Sequence, residues 1–204
     1  MRMLGEGNGR SLLDVGCADG EISSRLSSRG WDVLGVEPNP EDAVVAATRG
    51  IEVFRGTVEE ALPAINREFD AVLLADVLEH CVDPWEQLRL VRQVCKPGAE
   101  VVISLPNVAH LSMRAQLLAG RFRYTEKGLL DRTHLRFFTR SSAVDLVEQA
   151  GLKIQEMTST PAPVELVFPS LQRSSLGQAA LALNAYLAGR RPTVFAYQFV
   201  LVCK

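Results

Sequence analysis

Gly16, Ala18 and Gly20 stand at alternate positions directly behind the apolar run Leu12-Leu13-Asp14-Val15. Glu37 closes a second apolar run, Val33-Leu34-Gly35-Val36, 21 residues after Gly16. Small residues at that spacing let a backbone turn approach a ligand closely and aim the free N–H groups of a following helix at it. An acid at the end of the next strand sits where nucleoside-binding α/β units place the partner of the ribose hydroxyls. Dinucleotide enzymes space their glycines G-x-G-x-x-G. Here Ala18 takes the middle position and Glu21 the last, and Asp19 and Glu21 would oppose a pyrophosphate with like charge. The turn therefore suits a nucleoside ligand that lacks phosphates and carries its own positive charge, which disfavours a nicotinamide dehydrogenase.

The residues suited to moving a proton near neutral pH are three histidines, His80, His110 and His134. All follow the fourth apolar run or lie in the segment after the fifth, where strand ends face the ligand crevice of an open α/β sheet. His134 has Asp131 three residues before it and Arg132 and Arg136 beside it. Such a cluster can hold an imidazole and receive a polar or anionic acceptor. His134 and His110 are thus the candidate bases, with Asp131 in support. His80, in Glu79-His80-Cys81-Val82-Asp83-Pro84, reads as a structural tie between the fourth strand and its helix. Arg121 and Arg123, interleaved with Phe122 and Tyr124, could bind a sugar ring carrying phosphate.

Short apolar runs alternating with helical patterns position these residues, and that alternation predicts a parallel sheet with helices on both faces. Strands are expected near 11–15, 32–36, 51–54, 69–75 and 100–105, with helices near 20–29, 40–48, 59–66 and 84–95. Pro84 suits a first helical turn, and Lys96-Pro97-Gly98 is expected to stop that helix. Residues 106–138 break the alternation and read as an insertion. Thr139 then caps a helix ending at Gly151, and strands near 152–159 and 193–203 flank a helical pattern at 171–188.

Four ordered motifs resemble those of class I S-adenosylmethionine-dependent methyltransferases over roughly residues 11 to 105. They are Asp14-Val-Gly-Cys-Ala-Asp-Gly20, Glu37 in Gly-Val-Glu-Pro-Asn, Phe69-Asp-Ala-Val-Leu-Leu-Ala-Asp-Val-Leu-Glu-His80, and Lys96-Pro-Gly98. The resemblance implies one domain over 1–204, a doubly wound Rossmann-like seven-stranded sheet, mostly parallel with the last strand antiparallel. S-adenosylmethionine is the implied cofactor. Gly16, Cys17, Ala18 and Gly20 would pass its methionine portion, with Asp14 near the ammonium. Glu37 would accept from both ribose hydroxyls, and Pro38 would flank the ribose or adenine. Thr57 and Val58 would face adenine, with Thr57 replacing the family's usual acid; the carbonyls of Ala75 and Asp76 would meet the ammonium. The segments Leu105-Pro-Asn107 and Gly128–Thr139 resemble a bacterial subgroup linked to glycan and polysaccharide biosynthesis. The implied activity is methyl transfer to a hydroxyl of a small molecule or glycan precursor; the alternative is a cofactor-binding regulatory or interaction protein without turnover.

The bulk properties narrow the partners. With 47% hydrophobic residues, 23% charged residues and a formal net charge of −2, no basic face large enough for a nucleic-acid backbone is expected. Cys17, Cys81, Cys95 and Cys203 lack C-x-x-C spacing, so they read as reduced thiols of a cytoplasmic protein and not as metal ligands; no metal is expected. No run reaches the length of a membrane span. A homodimer is allowed. The first strand begins close to residue 10, before which relatives often carry a helical lid, so residues 106–138 and 161–190 are expected to cover the acceptor side.

Overall fold

The computed structural model describes residues 3–204, with the side chains of 166 and 167 left aside. Seven strands form one sheet in the order β3-β2-β1-β4-β5-β7-β6. Strands β1 (Ser11–Val15), β2 (Asp32–Glu37), β3 (Glu52–Arg55), β4 (Phe69–Ala75) and β5 (Cys95–Pro106) are parallel. Strand β7 (Gln198–Cys203) runs antiparallel between β5 and β6 (Ile154–Thr160). The sheet and its antiparallel last strand agree with the expected class.

Helices α1 (Glu21–Ser27), α2 (Pro40–Thr48), α3 (Val58–Ala61), α4 (Pro84–Arg92), α5 (Leu111–Leu118) and α6 (Arg140–Gln149) follow in chain order. Beyond β6 come α7 (Val164–Val167), a 3₁₀ turn (Pro169–Arg173), α8 (Ser175–Arg190) and α9 (Pro192–Phe195). Local chemistry starts several of them. Asn39 and Asp83 accept the N–H groups of Glu41 and Glu86, each with a proline as the next residue, and Thr139 caps α6.

Strands buried on both faces need near-continuous apolar runs, which is why β1 and β4 are so plain in the sequence. One core layer joins Leu13, Val72 and Ile103 to Leu88 and Val91 of α4 and Leu146 and Val147 of α6. The other joins Leu12, Leu73 and Val102 to Leu26 of α1 and Trp31. The strand order reverses between β1 and β4, so the crevice at the carboxyl ends of those strands is where such sheets bind ligands.

Several boundaries differ from expectation. Helix α4 ends at Arg92, and Lys96–Gly98 instead lie within a register shift of β5, where Phe69 pairs with Cys95 and Ala71 with Glu100. Helix α3 is one turn long, because the chain leaves it at Leu62. Residues 192–195 form α9 rather than the start of a strand, since Pro192 favours a first helical turn. The 106–138 segment contains an unexpected helix, α5, capped by His110.

Candidate functional site

The turn between β1 and α1 is built on left-handed backbone. Gly16, Ala18 and Gly20 have φ of 67°, 48° and 75°. A Cβ on Gly20 would lie 2.8 Å from Cβ of Ala46, and one on Gly16 would lie 2.8 Å from Cγ2 of Val77. The N–H groups of Gly16 and Cys17 both donate to the carbonyl of Val36, fastening the turn to β2. Ala18 carries a conformation that costs an L-residue roughly 1 kcal/mol. Its N–H donates to Oε2 of Glu37 at 2.8 Å, which holds it there. Oε1 of Glu37 accepts the N–H of Asn39 at 2.8 Å. The buried carboxylate is thus aimed by two backbone donors, and each oxygen keeps a lone pair for a further hydrogen bond.

Asp14 lies beneath this turn and is 2% exposed. Ser23 of α1 donates to its Oδ2. Burial pushes its carboxyl up to about 7; the Ser23 bond opposes the shift and the charge of Glu37 adds to it. Burial, reinforced by Asp14 and Glu37, pushes the Cys17 thiol up to about 12, so it is no nucleophile.

A cleft of about 430 Å³ opens beside the turn, and Gly16, Pro38, Thr57 and Val58 line one side of it. His80–Asp83 form another wall. Thr57 opens α3 and its N–H donates to Oε2 of Glu60 at 2.9 Å. Ala75 and Asp76 do not share this cleft; they line a neighbouring one of about 220 Å³ with Ile22 and Ser104. The Asp76 carboxylate accepts from Ser104 Oγ at 2.7 Å and from Gln198 Nε2, which joins the end of β4 to β5 and β7.

The histidines separate into two groups. His110 caps α5: its Nδ1 accepts the N–H of Ser112 at 3.3 Å, so the ring proton of the neutral form sits on Nε2. Burial lowers its pKa. His80 and His134 instead meet edge to face, with ring centroids 4.8 Å apart. Nδ1 of His134 is buried without a hydrogen-bond partner, and burial, then the charge of His80, lowers its pKa. Asp131 does not touch the His134 ring by a hydrogen bond; its Oδ1 accepts from the N–H and the hydroxyl of Thr133, at 2.8 and 2.7 Å. Those bonds hold its carboxyl below the usual range.

Two residues escaped the sequence reading. Glu79 is 1% exposed and its Oε2 has no hydrogen-bond partner. Burial pushes it up to about 8, against a bond from its own backbone. Asn107, also buried, donates to the carbonyl of Ala196 at 2.8 Å and accepts the N–H of Ala109 at 3.0 Å. The pairing Glu79-His80 in the third motif is the available signal for the first. Arg132 and Arg136, expected to receive an anionic acceptor, are engaged elsewhere: Arg132 pairs with Glu126, and Arg136 donates to the carbonyl of Val82. Among the described residues, none of 161–190 lines the cleft.

A glycine-rich turn at the switch point and an aimed acid after β2 define a nucleoside-binding α/β protein. The model of the methyltransferase domain family matches residues 1–157, and the chain belongs to that family. Its cofactor is S-adenosylmethionine, which the two free lone pairs of Glu37 and the close-approach glycines fit. A "Ubiquinone biosynthesis O-methyltransferase" of Cereibacter sphaeroides is 32% identical over 195 residues, covering 90% of this chain and 74% of that protein. One of the same name from Dinoroseobacter shibae is 31% identical with the same coverage. For another Cereibacter sphaeroides strain the chain spans 60% of the relative. The fold matches a SAM-dependent methyltransferase structure from Archaeoglobus fulgidus, with a TM-score of 0.69 at 20% identity, covering 100% of this chain and 89% of that one. Among the described residues no helix is long and apolar enough to cross a membrane.

Proposed function

We propose that the chain transfers a methyl group from S-adenosylmethionine to a hydroxyl oxygen of a small molecule. The observation that carries this reading is the doubly aimed carboxylate of Glu37 beside the Gly16–Gly20 turn. The relatives named O-methyltransferase support oxygen as the acceptor atom. Their names place them in ubiquinone biosynthesis, which favours a quinone-precursor ring over a glycan precursor.

When bound, the cofactor supplies an electrophilic methyl on a sulfonium whose departure leaves a neutral thioether. Because that leaving group needs no proton, the protein's work is to hold acceptor and methyl in line and to exclude water. Glu37 would hold the ribose, Gly16 and Pro38 the nucleoside, and Asp14 the ammonium. Loss of the acceptor's proton falls to the acceptor side, where His134 and His80 stand together beside the cleft. Asp131 acts there through Thr133, as a positioning residue. His110, as a helix cap with its proton on Nε2, would serve as a hydrogen-bond donor to the acceptor.

Calorimetry with S-adenosylmethionine and S-adenosylhomocysteine, followed by S-adenosylhomocysteine release in the presence of ring-hydroxyl and nucleotide-sugar acceptors, tests the reading. Binding and turnover with a ring hydroxyl are expected. Failure to bind either cofactor form overturns it, and binding with no turnover on any acceptor would assign a cofactor-binding regulatory protein instead.

A further inference from the structure

Glu79, His80 and His134 each offer one ligand-type atom, and these atoms all lie within 4.8 Å of one another. Two of these residues carry buried atoms that nothing in the fold satisfies: Oε2 of Glu79 and Nδ1 of His134. A buried polar atom without a partner opposes folding, and two of them at one spot mark a place built for something more than the chain itself. Glu79 forms no ion pair among the described residues, so no side-chain cation has taken the place.

The third atom is fixed by its surroundings. Nδ1 of His80 faces the carbonyl of Thr133 at 3.2 Å and the Thr133 hydroxyl at 3.1 Å. That hydroxyl gives its single proton to Asp131. Both neighbours therefore offer lone pairs only, the proton of the neutral ring sits on Nδ1, and Nε2 presents a lone pair. Imidazoles that bind metals almost always donate their second ring N–H to a carbonyl or carboxylate, which fixes the tautomer. His80 meets that condition at the Thr133 carbonyl.

We infer that Glu79, His80 and His134 form a binding site for a divalent metal ion of the zinc class. Two imidazole nitrogens and one carboxylate oxygen suit a borderline late first-row ion better than magnesium or calcium, which favour all-oxygen shells. Three protein ligands leave a coordination position open, as in catalytic zinc sites. His80 also lines the cofactor cleft, so the ion stands at its border. A cation there lowers the pKa of a hydroxyl brought beside it, so that the acceptor's proton leaves to water. That use of the ion rests on the proposed methyl transfer; its binding does not. The sequence pattern assigned no metal because its ligands come from two segments 54 residues apart at His80 and His134.

The test is uptake of Zn²⁺ and Co²⁺ by the purified chain, followed by calorimetry and by visible absorption of the cobalt form. One equivalent per chain is expected, with cobalt bands of nitrogen and oxygen ligation. Glu79→Gln and His134→Ala should each weaken uptake by at least roughly tenfold while S-adenosylmethionine affinity stays unchanged. Should those variants misfold, Asp131→Ala touches no ligand atom and, by freeing the Thr133 hydroxyl to donate to Nδ1 of His80, should still weaken uptake by roughly tenfold. No uptake by the wild-type chain, equal uptake by His134→Ala, or a thiolate-to-cobalt charge-transfer band overturns the site. Loss of S-adenosylmethionine binding by the wild-type chain would instead strike the methyltransferase reading and leave the metal result standing.

Discussion

The carboxylate of Glu37 accepts the backbone N–H of Ala18 at 2.8 Å, so the acid ending β2 and the turn leaving β1 form one unit. Glu37→Ala is therefore expected to act twice. Cofactor affinity should fall roughly ten- to hundredfold, the worth of a charge-assisted hydrogen bond. The melting temperature should fall as well, because the N–H groups of Ala18 and Asn39 lose their acceptor. Glu37→Gln, which keeps one oxygen, should lie between. Calorimetry and thermal melts read the two effects separately, and weakened binding with an unchanged melt would show that Glu37 does not hold the turn.

Gly20→Ala should destabilise the chain by about 2–3 kcal/mol, from left-handed backbone combined with overpacking. The new methyl would sit 2.8 Å from Cβ of Ala46 and 2.9 Å from its Cα. Gly98 has a φ of 83° with nothing near its missing Cβ, so Gly98→Ala should cost only about 1 kcal/mol. Urea unfolding of both variants checks the difference.

Asp14 gives a pH dependence with a definite sign. Its carboxyl is raised in the folded state from 3.8 to about 7. Between those values the native chain holds a proton that the unfolded chain has released, so this group makes stability fall as pH rises across the window and level off above it. The Ser23 hydroxyl and the Glu37 charge are the polar groups that set the shift beside burial. Asp14→Asn should flatten the slope, measured as denaturation midpoints from pH 4 to pH 8 (about the span of the shift). An unchanged slope would mean that Asp14 is ionised in the native state.

Asn107→Ala should cost about 2–4 kcal/mol, since the buried carbonyl of Ala196 and the N–H of Ala109 each lose a partner. Because those bonds tie the end of β5 to the approach to β7, hydrogen exchange should rise at Asn107–His110 and at Ala196–Tyr197. Protection unchanged at Ala196 would remove Asn107 from that role.

The parts of the fold legible in the sequence are those whose signal is local. Strands β1 and β4 are buried on both faces and read as apolar runs broken only by Asp14 and Asp70 between their apolar residues. Helix α5 was missed because only Met113 on it is buried, leaving no apolar stripe, while Leu111, Leu117 and Leu118 are exposed. The same division holds at the site. Gly16, Gly20 and Glu37 announce themselves by spacing along one βαβ unit. Glu79 and His134 are 55 residues apart, and what unites them is backbone: the N–H groups of Leu135 and Arg136 both donate to the carbonyl of Glu79. No pattern of side chains encodes that return. Lys96-Pro97-Gly98 misled for a different reason, since a helix breaker does not say how many residues earlier the helix has already ended.

The position of β7 has a bearing on how the chain comes off the ribosome. Strand β6 pairs with β7 alone, and β5 meets β7 on its outer side, so an inner strand of the sheet is made after both of its neighbours. From Thr160 to Gln198 a further 38 residues must be translated before β6 has any partner. Until then the growing chain holds a five-stranded half with one raw edge at β5, a nascent intermediate that chaperones would meet and that premature termination would leave behind.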